Sequence, residues 1–363
     1  ALSHTKRRHP AQKIFLCGCM AGQPEVEERL RKSFPHVDGV FSTHHLWQFP
    51  EILLRVLTTG KRVYYTQDEP GSIAEGLPVR REVHLKAWVS IMYGCNNFCS
   101  YCIVPYVRGR ERSRQPEDIL QECRDLIAQG YKDITLLGQN VNSYGKTLET
   151  PVTFAELLKE VEKIEGLKRI RFMTSHPKDL SDELIQTMAE SQKICHHLHL
   201  PLQAGSSKVL REMCRPYDAA FFGSLVDRLY RQVPSLSLST DIIAGFPGES
   251  DREFEETLSL ARQCRFSKIH AFPYSRREGT PAAARADQVP DDVKTARTAQ
   301  LLALSDDLRS TDFVRRAGTT ELVLVEADGR GMTESYHEVA LPEGFVPGAL
   351  IPLELSGEMR RLS

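Results

Sequence analysis

The most informative stretch of this sequence is the cysteine-rich GCNNFCSYC at residues 94–102. It places Cys95, Cys99 and Cys102 in a Cys-x3-Cys-x2-Cys run directly after an apolar segment, residues 88–92. Three thiolates on a loop after a strand can bind three irons of an iron-sulfur cluster and leave the fourth iron without a protein ligand. Such an iron is open to bind and activate a small molecule. The stretch therefore predicts a catalytic cluster.

A structural zinc site is the alternative use of the same cysteines. Such sites close around four ligands, commonly as paired Cys-x2-Cys or Cys/His halves. No second half lies nearby in the sequence, because His84 precedes the loop on a predicted strand and Cys123 falls within a helical pattern. A fourth ligand close in sequence is hard to supply, so the spacing favours the cluster.

Length and composition limit the class of protein. A chain of 363 residues is long enough for two or three domains. The formal net charge of −1 gives no general attraction to nucleic acid, so any RNA binding must come from local patches. The sequence has neither an apolar run of membrane-spanning length nor a signal-peptide pattern. With nine cysteines suited to a reducing compartment, we expect a cytoplasmic protein with no membrane contact.

The segment from Lys86 to about Tyr274 alternates β-rich apolar runs with helical patterns. The predicted strands are 87–92, 133–137, 169–173, 196–202, 236–243 and 268–272. Predicted helices between them include 117–129, 154–163 and 251–264. Such β-α repeats predict an α/β fold with a parallel sheet. Because six units are too few for the eight-fold barrel, we expect an open, partial (β/α)6 barrel, with functional residues on loops after the carboxyl ends of its strands.

Smaller segments flank the predicted barrel. Upstream, a strand at 13–16 and a charged helix at 24–33 indicate a small α/β unit, joined to the barrel by a linker at 70–79. This unit has no initiator Met, and we expect it to be incomplete. Downstream, a long helix at 291–315 leads into a β-rich tail, 320–362, which could serve dimerisation, form a lid, or form a small RNA-binding barrel. The predicted domains are 1–79, 80–316 and 317–363.

Several further strings extend the argument to nearly the whole chain. They are GCNNFCSYCIVPYVRGRE at 94–111, LGQNVNSYG at 137–145, TSHP at 174–177, HLHLPLQAGS at 197–206, TDIIAGFPGE at 240–249 and YSRREGT at 274–280. Their sequence and order resemble the radical S-adenosylmethionine (SAM) methylthiotransferases, specifically the MiaB-type branch that acts on tRNA. The tail, with LVE at 324–326 before GMT at 331–333, resembles the family's TRAM domain, an RNA-binding barrel.

The resemblance implies a reaction on tRNA. A methylthio group replaces the hydrogen on C2 of an isopentenylated adenosine next to the anticodon. A 4Fe-4S cluster on Cys95, Cys99 and Cys102 passes one electron to SAM, and a radical results. A second SAM gives the methyl group, and a second 4Fe-4S cluster in the N-terminal domain provides or carries the sulfur. The resemblance also implies a flavodoxin or ferredoxin as electron donor, and we expect a monomer.

The same resemblance and the chemistry of the side chains assign cofactor-binding roles. Gly138 would let the backbone approach SAM, and the amides of Gln139 and Asn140 would bind its methionine end. Side chains suited to bind the ribose hydroxyls and the amino group of SAM lie at or near predicted strand ends: Ser175, Gln203 and Asp241. Tyr101, directly before the last cysteine of the loop, is the remaining candidate. Ser175, Gln203 and Asp241 could instead be turn or cap residues.

We expect two residues of the matching strings to have structural roles, and other residues to bind RNA or to lie in the core. We expect His176 to be structural and Glu249 to be able to cap the following helix. Alternating arginines after the cysteine loop could bind phosphates or form a solvated charged face, and two arginine pairs further on are weaker candidates. These arginines are Arg108, Arg110, Arg112 and Arg114, then Arg276 with Arg277 and Arg315 with Arg316. Four cysteines are expected to be buried core thiols: Cys123, Cys195, Cys214 and Cys264.

The chain departs from the family pattern in its N-terminal domain. The family's auxiliary cluster uses three cysteines there, of which only Cys19 is matched in this sequence. The other two belong to segments upstream of Ala1, and Cys17 occupies a position that is not a ligand in the pattern. We therefore expect the chain as written to hold the SAM cluster without a normal auxiliary cluster, as a fragment of a longer product would.

Other functions stay open on the sequence. A related branch methylthiolates an aspartate of a ribosomal protein, but the string QNVN at 139–142 favours tRNA. An iron-sulfur protein that binds RNA and has lost sulfur insertion is a further possibility, given the unmatched cysteines. A zinc-stabilised barrel is the remaining one, and it predicts zinc rather than iron in the purified protein.

Overall fold

The structure of this chain is a computed structural model that describes residues 2–66, 85–327 and 329–356, apart from the side chain of Pro24. The predicted linker at 70–79, and the last residues of the predicted tail, lie outside these ranges. The chain divides into two compact units. The first comprises residues 1–80, 93–97 and 103–110, and the second comprises 81–92, 98–102 and 111–363.

The first unit is a small α/β layer. Its elements are α1 (Leu2–Arg8), β1 (Phe15–Cys17), α2 (Pro24–Ser33), β2 (Gly39–Phe41), α3 (Phe49–Thr59), β3 (Val63–Tyr65) and α4 (Val104–Arg108). The parallel strands follow the order β1-β2-β3. Helix α2 has the predicted bounds, with proline at its first position and acidic residues in its first turn. The Arg62 guanidinium donates to carbonyls at the end of α2 and so caps that helix.

The second unit contains the predicted barrel. Its strands are β4 (Lys86–Ser90), β5 (Met92–Tyr93, whose last residue belongs to the first unit), β6 (Arg112–Ser113), β7 (Asp133–Leu137), β8 (Arg169–Phe172), β9 (His197–His199), β10 (Ser237–Ala244) and β11 (Lys268–Pro273). Its helices are α5 (Pro116–Ala128), α6 (Phe154–Glu162), α7 (Asp182–Glu190), α8 (Ser207–Glu212), α9 (Ala219–Gln232), α10 (Asp251–Cys264) and α11 (Asp291–Arg315).

The long strands of the second unit run parallel and follow one another in chain order. Strands β4, β7 and β8 form one sheet, and β9, β10 and β11 form another. A parallel bridge between Ile170 and Ile194 links β8 to the segment before β9. The first four of the five residues of β7 are buried, as expected for a parallel strand covered on both faces. The α/β class and the parallel arrangement expected from the sequence are therefore present.

One strand is much shorter than predicted. The apolar pattern at 196–202 yields only His197–His199 as β9. Pro201 has no N–H for the ladder. The hydroxyl of Thr240 takes over the pairing, since it accepts from the Leu202 N–H at 2.8 Å and donates to the Leu200 carbonyl at 2.9 Å. A side chain therefore replaces regular strand pairing where the chain turns toward Gln203.

The C-terminal part of the second unit is an antiparallel sheet. Its strands are β12 (Thr320–Val325), β13 (Arg330–Met332), β14 (Glu338–Ala340) and β15 (Leu350–Glu354), in the order β14-β13-β12-β15. A small core of Phe313, Val323 and Val339 lies beneath it. The sheet contacts the amino ends of the barrel strands, because Arg169 and Arg171 at the start of β8 donate to the carbonyls of Met332 and Thr333. This contact therefore covers the amino ends of the strands and not their carboxyl ends.

Within the residues that the structure describes, no helix is long and apolar enough to cross a membrane.

Candidate active site

The cysteine loop turns sharply at two positions. Gly94 has φ +76°, and a Cβ there would lie 2.1 Å from the Arg110 carbonyl oxygen, so only glycine fits. Phe98 also has a positive φ, 47°. In the first unit the Cys95 N–H donates to the Gly109 carbonyl at 3.1 Å. In the second unit the Cys102 N–H donates to the Cys99 carbonyl at 2.9 Å. The backbone is thus fixed close to each cysteine.

The donor set of the loop fits an iron-sulfur cluster. Cys95 and Cys99 are buried and Cys102 is half-buried, and none of the nine cysteines, all of which are described, forms a disulfide. Among the described residues, no three His, Cys, Asp or Glu side chains are arranged to hold a single metal ion. A four-iron cluster requires a different arrangement, because each thiolate binds a different iron. Cys95, Cys99 and Cys102 would hold it through their sulfur atoms.

Two residues next to Cys99 complete its environment. The Arg215 guanidinium donates from Nη1 to the Cys99 Sγ at 3.3 Å, and the sequence reasoning missed this residue. The only signal for it was the string MCRPY at 213–217, shortly after the HLHLPLQ segment. Tyr101 packs against the core beside them, and burial raises the pKa of its phenol. Tyr101 therefore stays protonated at neutral pH.

Polar atoms without partners collect after the carboxyl ends of β7 and β8. Gln139 Oε1, Asn140 Oδ1 and Ser175 Oγ are buried and make no hydrogen bond within the described ranges. Buried polar atoms are normally paired, so these atoms fit a polar ligand such as SAM. Gly138 lies beside them, and a Cβ there would be 2.5 Å from the Met92 side chain. The need for glycine at 138 thus comes from packing against Met92 as well as from any bound cofactor.

A buried carboxylate supports this group of residues, and sequence reasoning did not find it. Asp179 accepts from Asn140 Nδ2 at 2.8 Å and pairs with Lys146 and Lys178 at 2.7 Å each. Burial alone would raise the pKa of Asp179, but these hydrogen bonds lower it to about 2. A cavity of about 380 Å³, lined by Asn142, Lys146 and Asp179 among others, lies beside it. Asp179 holds the amide of Asn140 in one orientation.

The structure brings Gln203 and Asp241 together on neighbouring segments. Gln203 bridges in parallel to Ile242, and its N–H donates to the Asp241 carbonyl at 2.9 Å. It has φ +71°, a left-handed conformation that is rare for residues other than glycine and often marks functional sites. The Asp241 carboxylate lies 3.4 Å from His199 Nε2 and is 29% exposed. Asp241 therefore keeps part of its carboxylate available to a ligand.

The two residues with structural interpretations are both buried in the second unit. His176 accepts the Lys178 N–H at its Nδ1 atom, and burial, followed by the charges of Arg215 and Lys178, lowers its pKa to about 2. The imidazole is neutral at physiological pH. Glu249 is not the helix cap expected from the sequence, because Ser250 occupies that position.

Glu249 instead faces inward. Its carboxylate accepts from the Gly245 N–H at 2.7 Å and from Arg297 at 2.8 Å. Burial raises its pKa to about 7. These contacts connect the turn after β10 to α11, which is a structural role that the sequence pattern did not indicate.

The predicted phosphate-binding arginines have different environments. Arg110 and Arg276 are exposed and Arg112 is half-buried. Arg108 donates from Nε to the Cys19 sulfur at 3.1 Å, within the first unit. Arg114 does not suit phosphate, since it is buried and donates to the Ser90 carbonyl and to Glu122. Two more candidates differ likewise: Arg277 is exposed, whereas Arg315 pairs with Asp312 and Arg316 is buried.

The expectation of buried core thiols holds for three of four cysteines. Cys123, Cys195 and Cys264 are buried, but Cys214 is exposed. Cys214 follows α8 and has φ +58°, in the left-handed region. The expectation for Cys214 is therefore wrong.

Comparisons with known proteins identify relatives of this chain. The model of the Radical SAM superfamily matches residues 89–261. The tRNA-2-methylthio-N(6)-dimethylallyladenosine synthase of Carboxydothermus hydrogenoformans is 50% identical over 329 residues, which are 91% of this chain and 75% of the relative. The synthase of the same name from Acetivibrio thermocellus is 52% identical over 325 residues, 90% of this chain and 68% of the relative.

Solved structures are more distant. Coproporphyrinogen III oxidase from Escherichia coli, described as a radical SAM enzyme, has a TM-score of 0.47 and 13% identity, over 70% of this chain and 66% of that one. The identity and coverage of the curated relatives are sufficient to assign the family. This chain belongs to the tRNA-2-methylthio-N(6)-dimethylallyladenosine synthase family of radical SAM enzymes.

Proposed function

We propose that this chain adds a methylthio group to C2 of the isopentenylated adenosine next to the anticodon of tRNA, with SAM and a 4Fe-4S cluster as cofactors. One observation carries the proposal. The unpartnered atoms of Gln139, Asn140 and Ser175 follow the carboxyl ends of the parallel strands β7 and β8, and the cysteine loop follows the parallel strand β4 after the short β5. This is the edge at which parallel α/β sheets bind ligands. The relatives at about half identity bear the name of the same reaction.

The chemistry of the substrate explains why such cofactors are needed. The C2–H bond of an adenine has no acidic proton, so general acid–base catalysis cannot break it. When bound, the cluster and SAM together supply a 5′-deoxyadenosyl radical, which can remove a hydrogen atom. The residues of this chain then have to bind and orient the cofactor, keep water away and admit the base.

The side chains divide these tasks. Asn140, held by Asp179, presents its carbonyl oxygen, and Gln139 presents a second one, so both can accept from the amino group of the methionine end of SAM. Ser175 offers a hydroxyl to the ribose or the methionine end. Asp241 can accept from ribose hydroxyls, and the constrained turn at Gln203 places its amide on the neighbouring segment. Cys95, Cys99 and Cys102 anchor the cluster.

Other parts of the proposal concern the whole protein. The C-terminal antiparallel sheet is proposed to be a TRAM domain and residues 1–79 an N-terminal α/β domain, with domain boundaries at 1–79, 80–316 and 317–363. The exposed Arg110 and Arg276 are the better candidates for tRNA phosphates, and Arg108 and Arg112 are the weaker ones. The role of Cys19 as one ligand of an auxiliary cluster whose other two ligands are unmatched in this sequence, a flavodoxin or ferredoxin donor, a monomeric state and a cytoplasmic location stay predictions.

Product analysis tests the function. The chain, reconstituted anaerobically with iron and sulfide, is incubated with SAM, dithionite and tRNA that carries isopentenyladenosine. One mass-spectrometric run quantifies 5′-deoxyadenosine and the methylthio nucleoside. The same tRNA without the isopentenyl group is the matched control substrate, and ribosomal protein is the control for the aspartate-modifying branch.

The outcomes separate the alternatives. Both products from isopentenylated tRNA support the proposal and contradict the expectation that no auxiliary cluster forms. Deoxyadenosine without the methylthio nucleoside would support the radical site but contradict methylthiolation by this chain alone. Neither product contradicts the proposal and favours an iron-sulfur protein that only binds RNA.

A further inference from the structure

A buried arginine contacts one of the three cysteines from outside the cysteine loop. Arg215 follows α8 and is 8% exposed. Its Nη1 atom lies 3.3 Å from the Cys99 Sγ, across a sequence separation of 116 residues. This contact lies wholly within the second unit. The guanidinium therefore places a positive charge and an N–H donor directly on a predicted cluster ligand.

Other contacts hold the guanidinium in this position. Nε donates to the Tyr217 hydroxyl at 2.9 Å, and Nη2 lies 3.3 Å from the Pro201 carbonyl. The guanidinium also lies near the face of the Tyr217 ring, 5.3 Å from its centroid. All of these partners are themselves buried. Arg215 is thus a preorganised group, since it cannot leave Cys99 without breaking several contacts.

The charge balance of this group points to an anionic partner at Cys99. An arginine keeps its charge in proteins, and a buried charge without a counter-ion is costly. Within the described ranges, Arg215 donates to a hydroxyl, a carbonyl and a sulfur, and to no carboxylate. A thiolate that ligates an iron-sulfur cluster supplies the missing negative charge. One-electron reduction makes the cluster more negative, so a neighbouring guanidinium stabilises the reduced form more than the oxidised form.

We propose that Arg215 is a positioning residue that raises the reduction potential of the cluster at Cys99 through a charged N–H donor to its sulfur. Hydrogen bonds to cluster sulfurs are among the factors that set such potentials. The inference rests on the proposed function in one respect, the presence of the cluster on Cys99. It adds a residue outside the cysteine loop that controls how readily the site accepts its electron.

The test compares midpoint potentials. Wild type and the variants R215Q, R215K and Y217F are reconstituted anaerobically, and EPR-monitored redox titration measures the one-electron potential of each. Iron and acid-labile sulfide per chain are measured in parallel. R211Q is the matched control, because Arg211 lies on α8 shortly before Arg215, carries the same charge and is exposed.

R215Q is expected to disfavour reduction by about tenfold, which corresponds to about 59 mV for a one-electron couple. R215K, which keeps the charge but loses the planar fork, and Y217F, which removes one contact of the guanidinium, should shift the potential less and in the same direction. R211Q should leave it unchanged. Equal potentials in wild type and R215Q overturn the inference, and so does an equal shift in R211Q.

Failure to load the cluster has a separate meaning. If R215Q binds no iron, Y217F decides, and an unshifted potential in Y217F overturns the inference. If wild type itself forms no 4Fe-4S cluster, the proposed function fails and the inference falls with it. A normal cluster in wild type together with an unshifted R215Q removes only the role of Arg215.

Discussion

The two ends of the barrel strands both bury polar side chains, but they use them differently. At the amino ends, Arg169 pairs with Asp133 at 2.8 Å and donates to the Met332 carbonyl at 2.9 Å, and Arg171 donates to the Thr333 carbonyl at 2.7 Å. Asp133 Oδ1 and Arg169 Nε at the amino ends also have no hydrogen-bond partner among the described residues, but they belong to groups that form an ion pair. At the carboxyl ends, Gln139 and Ser175 keep neutral buried oxygens with no partner among the described residues. At the amino ends, the buried charged groups are therefore paired with other residues of the same chain.

This difference suggests separate roles for the two ends, in stability and in ligand binding. A buried charge needs a partner, and at the amino ends the C-terminal sheet supplies it. A buried acceptor without a partner lowers stability, so its presence at the carboxyl ends fits a ligand that arrives later. We therefore expect the amino ends to contribute mainly to stability and the carboxyl ends mainly to cofactor binding. Substitutions at the amino ends should therefore lower the unfolding free energy, and substitutions at the carboxyl ends should weaken SAM binding.

The largest effect is expected at the cysteine loop. Replacement of Cys99 by serine should abolish formation of 5′-deoxyadenosine, because the cluster loses one of its thiolate ligands. Iron content and ultraviolet-visible absorption after reconstitution measure the loss. The control is Cys214→Ser, a change at an exposed thiol that should leave iron content and activity at wild-type levels. Full activity in Cys99→Ser would refute the assignment.

At the amino ends, Asp133→Asn should cost about 3 kcal/mol of unfolding free energy, because it leaves two buried guanidinium groups without their carboxylate. Urea denaturation gives the value. SAM affinity should change less than about twofold, because the carboxylate lies at the far end of the strand. Asp182→Asn, which breaks the pair of the exposed Asp182 with the half-buried Arg228, is the control and should cost less than about 1 kcal/mol. A tenfold loss of SAM affinity in Asp133→Asn would break the proposed separation.

Asp179 should contribute stability that depends on pH. Its pKa is lowered to about 2 from an ordinary value of 3.8, so the ionised form is favoured in the folded protein. The stabilisation is present above pH 4 and declines as the pH falls from about 4 toward about 2. At pH 7, Asp179→Asn should cost about 1–2 kcal/mol, a range that allows for screening of the exposed Lys146.

Urea denaturation of wild type and Asp179→Asn at pH 7, 4 and 3 measures this difference. It should shrink between pH 4 and pH 3. Glu183→Gln, which removes an exposed partner of Lys159, is the control, with an expected change of about 0.5 kcal/mol or less. A difference that stays constant from pH 7 to pH 3 would show that Asp179 does not act through its charge.

The smallest effect is expected at Ser175. Ser175→Ala should leave the unfolding free energy of the SAM-free protein unchanged or slightly higher, because it removes an unpaired buried hydroxyl. It should weaken SAM binding by about three- to tenfold, measured by anaerobic calorimetry. Ser181→Ala is the opposite case, since Ser181 caps α7 and its loss should cost about 1 kcal/mol without affecting SAM. Equal destabilisation by both changes would assign Ser175 to the structure rather than to the site.

The sequence predicted the parts of the fold that local pattern controls. Helices α2, α10 and α11 have the predicted bounds, since caps and prolines mark their ends. The pattern did not predict the end of β9, because the hydroxyl of Thr240 replaces the pairing that Pro201 cannot make.

The candidate site shows the same division. The cysteine spacing and the strand-end residues were visible in the sequence, because each lies within or next to a local motif. Arg215 and Asp179 were not visible, because their roles arise from contacts with residues 116 and 39 positions away. Glu249 was misjudged for the same reason, since its partner Arg297 is 48 positions away. Long-range pairs of this kind carry no periodicity that a single sequence reveals.

The central claim is that the cysteine loop holds a cluster with one iron open to SAM. Electron-nuclear double resonance on the reduced, reconstituted chain tests it most directly, with SAM labelled with ¹⁵N at the methionine amino group and ¹⁷O at its carboxylate. We predict couplings of both nuclei to the cluster in wild type, and their loss in Cys99→Ser. A reduced 4Fe-4S cluster whose spectrum shows neither coupling in the presence of saturating SAM would contradict the account.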